Sequence, residues 1–402
     1  MLNAINGAII GFGMAGRVFH APVISSVQEI NLKKICTADP DRTDMIKKLY
    51  PEVMPVSDAE DIFKDDAIEL VVIATPNTSH FSLAKKAILA GKHVIVDKPF
   101  TVTANEADEL IELAQKQNTV LTVYHNRRWE SDFKTAKKVV DSGLLGPLAE
   151  CEIHMDRFRN YMKDKAWREE DFPGSGLLYD LGSHLIDQAV CFFGLPCAIT
   201  ADLRKQRREA KAVDNFEVIL HYDRLKVTLK AGMLVNATLP RLILLGEKGS
   251  FVNYGADVQE DDLKSGFTPI NKKDWGREPE ELYGTICTDI NGLNIKGKII
   301  SEKGDYRDLY INVCRAIAGK EALAVTPQQA RNTIRIIELA VKSGEKRRTL
   351  DLDGLLDMQN RFVNDISLKI RGEDHGKRSN TSKFGRASCK AFRTVCKGSD
   401  KI

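Results

Sequence analysis

The sequence predicts a doubly wound α/β domain followed by an α+β domain with a mainly antiparallel sheet. Strand and helix patterns alternate over the first 125 residues, and a glycine-rich turn follows the first apolar strand. After about residue 147, successive strands are separated by short breaks. Because a chain of 402 residues is long for a single core, two domains are expected.

Apolar runs and helical patterns alternate in the first region. The run 70–75 is continuously apolar, which is typical of a strand buried on both faces of a parallel sheet. Helices are predicted from the glycine turn to about Ser26, over 79–90 and over 104–117, with Gly91 suited to end the second of them. The other predicted strands are 5–10, 32–37, 93–96 and 120–124.

The second region reads as a set of neighbouring strands. Hairpin-like breaks at 223–224 and 247–249 favour antiparallel pairing. Two late helices are predicted over 306–318 and 327–342, the second with Pro327 in its first turn and Thr326 as its cap. The predicted strands are 148–158, 198–208, 216–222, 225–234 and 241–245. We predict domains over 1–125 and 126–352, with an extension over 353–402.

The composition excludes several classes of protein. No apolar run approaches the roughly 20 residues that cross a bilayer, and no signal peptide is evident, so we expect a cytoplasmic protein without a membrane partner. The eight cysteines contain no C-x-x-C pair, which indicates free thiols rather than a disulfide or zinc framework. No metal site is expected.

The net charge of +3 hides an uneven distribution. Residues 375–402 contain eight Lys or Arg and a single acidic residue, so the preceding part of the chain is mildly acidic. This tail is polar and predicted to be disordered. It could contact nucleic acid or anionic lipid, but we favour a solvated extension and expect no nucleic-acid partner.

The glycine turn at the end of the first strand fits G-x-G-x-x-G. The first glycine permits a tight turn, the second lets the backbone approach a pyrophosphate, and the third lets helix and strand pack closely. Its position between a strand and a helix predicts a dinucleotide site of the Rossmann type. The candidate residues are Gly11, Phe12, Gly13, Met14, Ala15 and Gly16.

The end of the second strand bears on the choice of cofactor. Asp39 lies 23 positions after Gly16, where an acidic residue can bind the adenosine ribose of NAD. Thr37 and Ala38 occupy the strand tip, however, and Arg42 follows one turn later. Small residues with a nearby Arg suit the 2′-phosphate of NADP, so we favour NADP and keep NAD as possible.

Two further strand ends carry polar residues where open α/β sheets bind ligands. Asp97-Lys98-Pro99 follows strand 93–96, and Lys98 could point its ammonium at a substrate hydroxyl. The alternative is an ordinary loop lysine. The candidate cofactor-binding residues after strand 70–75 are Thr75, Pro76, Asn77 and His80.

Asp180, His184 and Asp187 are spaced i, i+4, i+7, so on a helix they share one face. Their neighbours are apolar, and burying such groups is costly unless they are paired or face a polar cavity. Held in partial burial, they could perform acid–base chemistry. The alternative is a surface helix start capped by Asp180 or Ser183.

These motifs resemble, in order and spacing, those of the Gfo/Idh/MocA oxidoreductases, in particular the branch with NADP-dependent inositol dehydrogenases. The resemblance spans about residues 5–352. It implies a Rossmann domain, then a domain with a large open sheet whose face mediates homodimers or homotetramers. It also implies Lys98, Asp180 and His184 as the catalytic set. The family motif usually has Glu where this chain has Asp97. Asn126, Arg127 and Arg128 would border the cleft.

The expected activity is reversible oxidation of a secondary alcohol on an inositol, sugar or polyol. His184 would act as general base with a pKa near 6.5, while Lys98 would hydrogen-bond the reacting oxygen and Asp180 a neighbouring hydroxyl or His184. Asp187 is expected to be structural. Specificity is expected to depend on Arg157, Tyr161, Trp167, Arg168 and Tyr283.

Two alternatives stay open. The substrate could be an aldose, a dihydrodiol or another cyclic ketone, since one core can serve many substrates. The protein could instead bind NADP(H) as a sensor without turnover, although a sensor does not need an acid–base pair.

Overall fold

The structure is a computed structural model that describes residues 4–163 and 167–352, without the side chain of Trp167. The predicted tail, and the extension from 353 onward, lie outside the described residues. Two sheets form the described part, one of six and one of nine strands. This confirms the predicted fold class, an α/β Rossmann domain followed by an α+β domain.

The first sheet is entirely parallel. Its strand order is β3-β2-β1-β4-β5-β6, the order of dinucleotide-binding sheets. All four residues of β4 are buried, as expected for a central strand with both faces covered. The strands are β1 (Ile5–Ile10), β2 (Ile30–Cys36), β3 (Met54–Val56), β4 (Leu70–Ile73), β5 (His93–Val96) and β6 (Leu121–Val123).

The connecting helices follow the predicted positions closely. A π-helical segment, Ala15–His20, opens the first helix directly after the glycine turn. The short β3 and the helices on either side of it were not predicted. The helices are α1 (Ala21–Ile24), α2 (Pro40–Leu49), α3 (Glu60–Phe63), α4 (His80–Leu89) and α5 (Ala104–Lys116).

The second sheet has nine strands in the order β14-β13-β12-β11-β7-β10-β9-β8-β15. All neighbouring pairs are antiparallel except β7 and β10, so the prediction of a mainly antiparallel sheet is confirmed. The strands are β7 (Leu148–His154), β8 (Ala198–Arg204), β9 (Asn215–His221), β10 (Lys226–Gly232), β11 (Leu242–Gly246), β12 (Gly249–Asn253), β13 (Thr285–Ile290), β14 (Leu293–Lys298) and β15 (Leu350–Asp351).

Five α-helices lie between residue 126 and residue 352 in the described part of the chain. Thr326 caps the last one, and Gln329 returns a hydrogen bond to the Thr326 backbone, which confirms the predicted cap. A π-helical segment, Leu178–Gly182, precedes α7 without a break. The helices are α6 (Ser131–Asp141), α7 (Ser183–Phe193), α8 (Gln259–Lys264), α9 (Arg307–Ile317) and α10 (Pro327–Lys346).

One continuous apolar core joins the two sheets. One apolar cluster includes Val71 and Val96 of the first sheet together with Leu185 of α7 and Ile334 of α10. On the other face of the first sheet, α9 contributes Leu309 and its neighbours. Late helices therefore cover a sheet that the early residues build, and this packing fixes the cleft between the two halves. The predicted domain boundaries stay a prediction.

In the described part of the chain, no helix is long and apolar enough to cross a membrane. The six cysteines described there are free thiols. Within the same residues, no group of three His, Cys, Asp or Glu side chains could hold a metal ion.

Candidate active site

A cleft of about 880 Å³ lies where the strands β1, β2, β4 and β5 end and the π-helical segment before α7 begins. Polar and apolar groups from both halves of the chain line it. Seventeen of the predicted site residues line this cleft: Gly11, Phe12, Gly13, Met14, Ala15, Thr37, Ala38, Arg42, Thr75, Pro76, Lys98, Asn126, Arg127, Arg157, Arg168, Asp180 and His184.

Contacts in the glycine turn show why glycine is required at two of its positions. A Cβ on Gly16 would lie 2.0 Å from the Gly11 carbonyl oxygen, so this close approach excludes any other residue. Gly11 has φ +101° and faces the Ala74 carbonyl, so a side chain is excluded there as well. A Cβ on Gly13, by contrast, would meet only Arg42, at 4.0 Å. Gly13 thus leaves open space on the side of the cleft where the first-turn N–H groups have no helical partner.

At the end of β2, Asp39 is turned away from the cleft. Its carboxylate caps α2 by accepting hydrogen bonds from the N–H groups of Asp41 and Arg42. It also pairs with the Arg42 guanidinium at 3.0 Å. Thr37, Ala38 and Arg42 line the cleft, but Asp39 does not.

Two residues predicted after β4 lie behind the cleft wall. The ring nitrogens of buried His80 lie 2.9 Å from the carbonyl oxygens of Thr75 and Pro99, so the ring joins two loops that end parallel strands. Burial lowers the pKa of His80. Asn77 donates a hydrogen bond to the Gly174 carbonyl at 2.8 Å. These contacts hold the strand-end loops against the segment that leads into α7.

Lys98 and Asp180 are in contact on the cleft wall. The Lys98 ammonium donates to the Asp180 carboxylate and to its main-chain carbonyl, each at 2.8 Å. The Arg168 guanidinium lies 3.2 Å from the same carboxylate. Although burial alone raises the pKa of Asp180, the charges of Lys98 and Arg168 outweigh it and hold that pKa below its usual range. Asp180 is therefore a fixed anion.

His184 lies one turn beyond Asp180 and also lines the cleft. Its side chain is buried, and its Nδ1 has no hydrogen-bond partner among the described residues. Burial and the positive charges of Lys98 and Arg127 lower the pKa of His184 well below 6.5. This imidazole is therefore neutral at neutral pH, and it is a weaker base than an imidazole with the expected pKa near 6.5.

Asp187 lies apart from Asp180 and His184, with which it was predicted to share a helix face. Its carboxylate accepts two hydrogen bonds from the buried Arg128, at 2.8 and 2.6 Å, and lies 3.7 Å from His125. Asp187 does not line the cleft. The π-helical segment ends at Gly182, so it changes the spacing between Asp180 and His184, whereas His184 and Asp187 both lie in α7. The alternative of a solvated, capped helix start is wrong, because Asp180 lies inside the helix and Asp187 is buried.

Comparison with known proteins decides the family. The family described as "Oxidoreductase family, NAD-binding Rossmann fold" matches residues 5–125, and "Oxidoreductase family, C-terminal alpha/beta domain" matches residues 137–352. The chain belongs to the Gfo/Idh/MocA oxidoreductase family. The predicted family is therefore confirmed, as is the prediction of an enzyme that acts as a dehydrogenase on CH–OH groups with a nicotinamide nucleotide.

Relatives in the Gfo/Idh/MocA family align with almost all of the described chain. The scyllo-inositol 2-dehydrogenase (NADP(+)) IolW of Bacillus subtilis is 39% identical over 88% of this chain and 97% of its own length. The oxidoreductase YdgJ of Escherichia coli is 41% identical over 88% of this chain and 100% of its own. The solved structure of the oxidoreductase YvaA of Bacillus subtilis has a TM-score of 0.84 and 38% identity, covering 88% of this chain and 99% of that one.

Of the other residues predicted to bind substrate in this Gfo/Idh/MocA chain, some line the cleft and others do not. Arg127 lines the cleft but is already paired with Glu130 and Glu260. Tyr161 and Tyr283 do not line the cleft. Trp167 lies in a short 3-10 turn, and its side chain is outside the described part.

Several charged residues of the cleft were not predicted. Arg159 follows Arg157 by two positions, a spacing that places both on one side of an extended segment and could have indicated it. Glu260 and Lys264, on α8, carry no such sequence signal. The unpredicted charged residues that line the cleft are Arg159, Lys163, Glu169, Arg207, Asp214, Glu260 and Lys264.

Proposed function

We propose that this protein is an NADP-dependent dehydrogenase that reversibly oxidises a secondary alcohol of an inositol, sugar or polyol. One observation carries the proposal: Lys98, Asp180 and His184 converge in the same cleft that Gly11–Ala15 border. The cleft thus joins a dinucleotide cradle to a fixed ammonium, a fixed carboxylate and a neutral imidazole.

The residues fit a nicotinamide dinucleotide. The open space beside Gly13 and the free first-turn N–H groups suit a pyrophosphate. At the far end, Thr37, Ala38 and Arg42 would hold the adenosine ribose, and the Arg42 charge suits a 2′-phosphate. Asp39, which would repel that phosphate, is engaged as a helix cap. These contacts favour NADP over NAD.

A bound nicotinamide supplies the hydride acceptor for oxidation and the donor for reduction. His184 takes the hydroxyl proton in oxidation, since its neutral imidazole is available as a base. The Lys98 ammonium donates a hydrogen bond to the reacting oxygen and stabilises its negative charge. Asp180 holds Lys98 in place and has a second oxygen that can accept from a neighbouring substrate hydroxyl.

The substrate class is supported by the relatives and by the polarity of the cleft. IolW of Bacillus subtilis is named for scyllo-inositol and NADP(+). A polyhydroxylated ring suits a wall with several charged donors and a carboxylate.

The experiment is a screen of inositols, aldoses and dihydrodiols with NADP and with NAD, followed by absorbance of the reduced nicotinamide. We expect turnover with at least one polyol and a higher kcat/KM with NADP. Saturable NADP(H) binding without turnover of any alcohol, or of the matching ketone in the reverse direction, would favour the sensor and contradict the proposal.

We also propose a cytoplasmic homodimer or homotetramer joined through the open face of the nine-stranded sheet. Along β9, every second residue is buried and the others remain partly exposed, so one face of the sheet is open. Light scattering after gel filtration should give two or four times the chain mass of 44.9 kDa. A monomer at micromolar concentration would contradict this.

A further inference from the structure

The cleft contains more cations than carboxylates. In the part of the chain that the structure describes, nine Lys and Arg side chains line it and only five Asp and Glu side chains do. Each of the five carboxylates already has a basic partner. The pairs are Asp180 with Lys98 and Arg168, Glu169 with Arg159 and Arg207, Asp214 with Arg207, Glu260 with Arg127 and Lys264, and Asp97 with His20.

Two cations of the cleft have no such partner. Neither Arg157 nor Lys163 forms an ion pair or a side-chain hydrogen bond with any described residue, whereas Arg42 is paired with Asp39. Arg157 is half-buried on the cleft wall. The backbone N–H of Lys163 donates to the Glu169 carboxylate at 2.9 Å, which fixes the position of that residue. An unpaired cation that is half-buried, as Arg157 is, is costly unless an anion binds there, whereas Lys163 is exposed and adds its charge without that cost.

The two cations act on each other and on the catalytic group. Burial lowers the pKa of Lys163, and the positive charges of Arg159 and Arg157 lower it further. The charge of Arg157 also contributes to the lowered pKa of Asp180, after Lys98 and Arg168. Arg157, Lys163 and Asp180 line the same cleft, and the Arg157 charge acts on both of the other groups.

We propose that Arg157 and Lys163 form an anion subsite for a carboxylate or phosphate carried by the substrate. This inference rests on the proposed function and narrows its substrate to acidic sugars or polyols. An Arg guanidinium can bind either group with two parallel hydrogen bonds, and Lys163 adds a point charge. A phosphate of the cofactor is the other possible source of the anion, but the cofactor side has its own donors in the first-turn N–H groups and Arg42.

The test uses the NADP-bound enzyme with matched sugars: a hexuronate, the corresponding hexose, and its 6-phosphate. We expect the wild type to have at least a tenfold higher kcat/KM for one of the two charged sugars. Arg157→Gln and Lys163→Gln should each lower that kcat/KM about 10- to 100-fold and lower the hexose value by a smaller factor. Arg157→Lys should restore part of the loss. Arg208→Gln, an exposed residue outside the cleft, is the matched control.

Equal losses on charged and neutral sugars would overturn the subsite. So would a loss confined to the KM for NADP, which would assign the two cations to the cofactor phosphates. A second measurement does not need turnover: the thermal shift of the NADP-bound enzyme with hexuronate, hexose 6-phosphate or hexose. A shift with a charged sugar that disappears in Arg157→Gln supports the subsite, even if no sugar is oxidised and the proposed function fails. Equal shifts with all three sugars overturn it.

Discussion

The two ends of the cleft are built in different ways. On the cofactor side, Gly11, Gly13 and Gly16 shape the space with main-chain atoms, and Gly16 lies so close to the Gly11 carbonyl that no side chain fits. On the substrate side, long charged side chains fill the wall, and they come from segments as distant as Lys98 and Asp180. Backbone geometry thus defines one end, and a balance of buried charges defines the other.

Because of this difference, substitutions at the two ends should have different effects. On the substrate side, replacing a charged side chain that faces the cleft should lower turnover, whereas replacing one that is buried behind the cleft should lower the free energy of unfolding. The π-helical segment and α7 contain both kinds of position, since His184 faces the cleft and Asp187 does not.

The largest effect is expected from His184→Ala. Loss of the only imidazole among the described residues that line the cleft should lower kcat about 10²- to 10⁴-fold, the usual contribution of a general base. The KM for NADP should change far less, because the cofactor contacts come from the other end. Steady-state kinetics on the best substrate of the screen measures both. Cys191→Ala, on the same helix α7 and outside the cleft, is the control. Near-wild-type turnover of His184→Ala would refute its role.

The second largest effect is expected from removing the ion-pair partner of Asp187, which lies on the same helix as His184 but is buried outside the cleft. Arg128→Met removes both hydrogen bonds to its carboxylate and leaves an unpaired buried charge. The free energy of unfolding, measured by urea titration, should fall by about 3–5 kcal/mol.

The double variant Arg128→Met/Asp187→Leu separates the pair from the site. It should recover part of the lost stability, because replacing both charges by apolar groups removes the unpaired carboxylate. The recovery is incomplete because Arg128 also donates hydrogen bonds to the Ala324 carbonyl and to the Gln329 side chain, and these acceptors lose their donor in both variants. If the single variant lost less than about 1 kcal/mol, or if the double variant were the less stable of the two, the pair would not have the structural role assigned here.

The same contrast explains what could be predicted from the sequence. The longer strands and the glycine turn depend on local patterns, so most elements of residues 5–125 were predicted, with the exception of β3 and its flanking helices α2 and α3. The hairpin between β13 and β14 was missed, although Asn291 and Gly292 both have positive φ and form the Asn-Gly turn that such hairpins favour.

The charged end of the cleft was harder to predict. Lys98, Asp180 and His184 were found through their motifs, but the pKa of His184 was expected near 6.5 and is well below it. That shift depends on burial and on cations from several segments, which no local pattern reveals. For the same reason, the pairing of Arg127 with Glu260, which lie 133 residues apart in the chain, could not be anticipated.

A smaller effect is expected on the cofactor side from Arg42→Ala. Loss of its guanidinium should raise the KM for NADP about tenfold, the value of one charge-assisted hydrogen bond, and leave the KM for NAD nearly unchanged. Kinetics with both nucleotides at a saturating alcohol concentration measures the change. Lys48→Ala, exposed on the same helix α2 and outside the cleft, is the matched control. Equal changes for both nucleotides would mean that Arg42 does not read the 2′-phosphate.

The smallest effect is a pH dependence that should be nearly absent. An imidazole with a pKa of about 6.5 would be roughly one-quarter neutral at pH 6.0, so a base of that kind would lose about fourfold in kcat/KM for oxidation. Because burial and the Lys98 charge lower the pKa of His184, it stays neutral there, and kcat/KM should fall less than about twofold between pH 7.5 and pH 6.0.

The stability of the enzyme must be measured over the same pH range, because the lowered pKa of His184 makes the folded state less stable as the pH falls. The unfolded chain protonates this histidine near pH 6.5 while the folded chain does not, so its contribution to stability is complete above that pH and declines below it. A thermal melt at pH 6.0 shows whether the enzyme is still folded during the assay. A fourfold loss of kcat/KM in enzyme that remains folded at pH 6.0 would mean that His184 is not the buried, neutral base of the cleft.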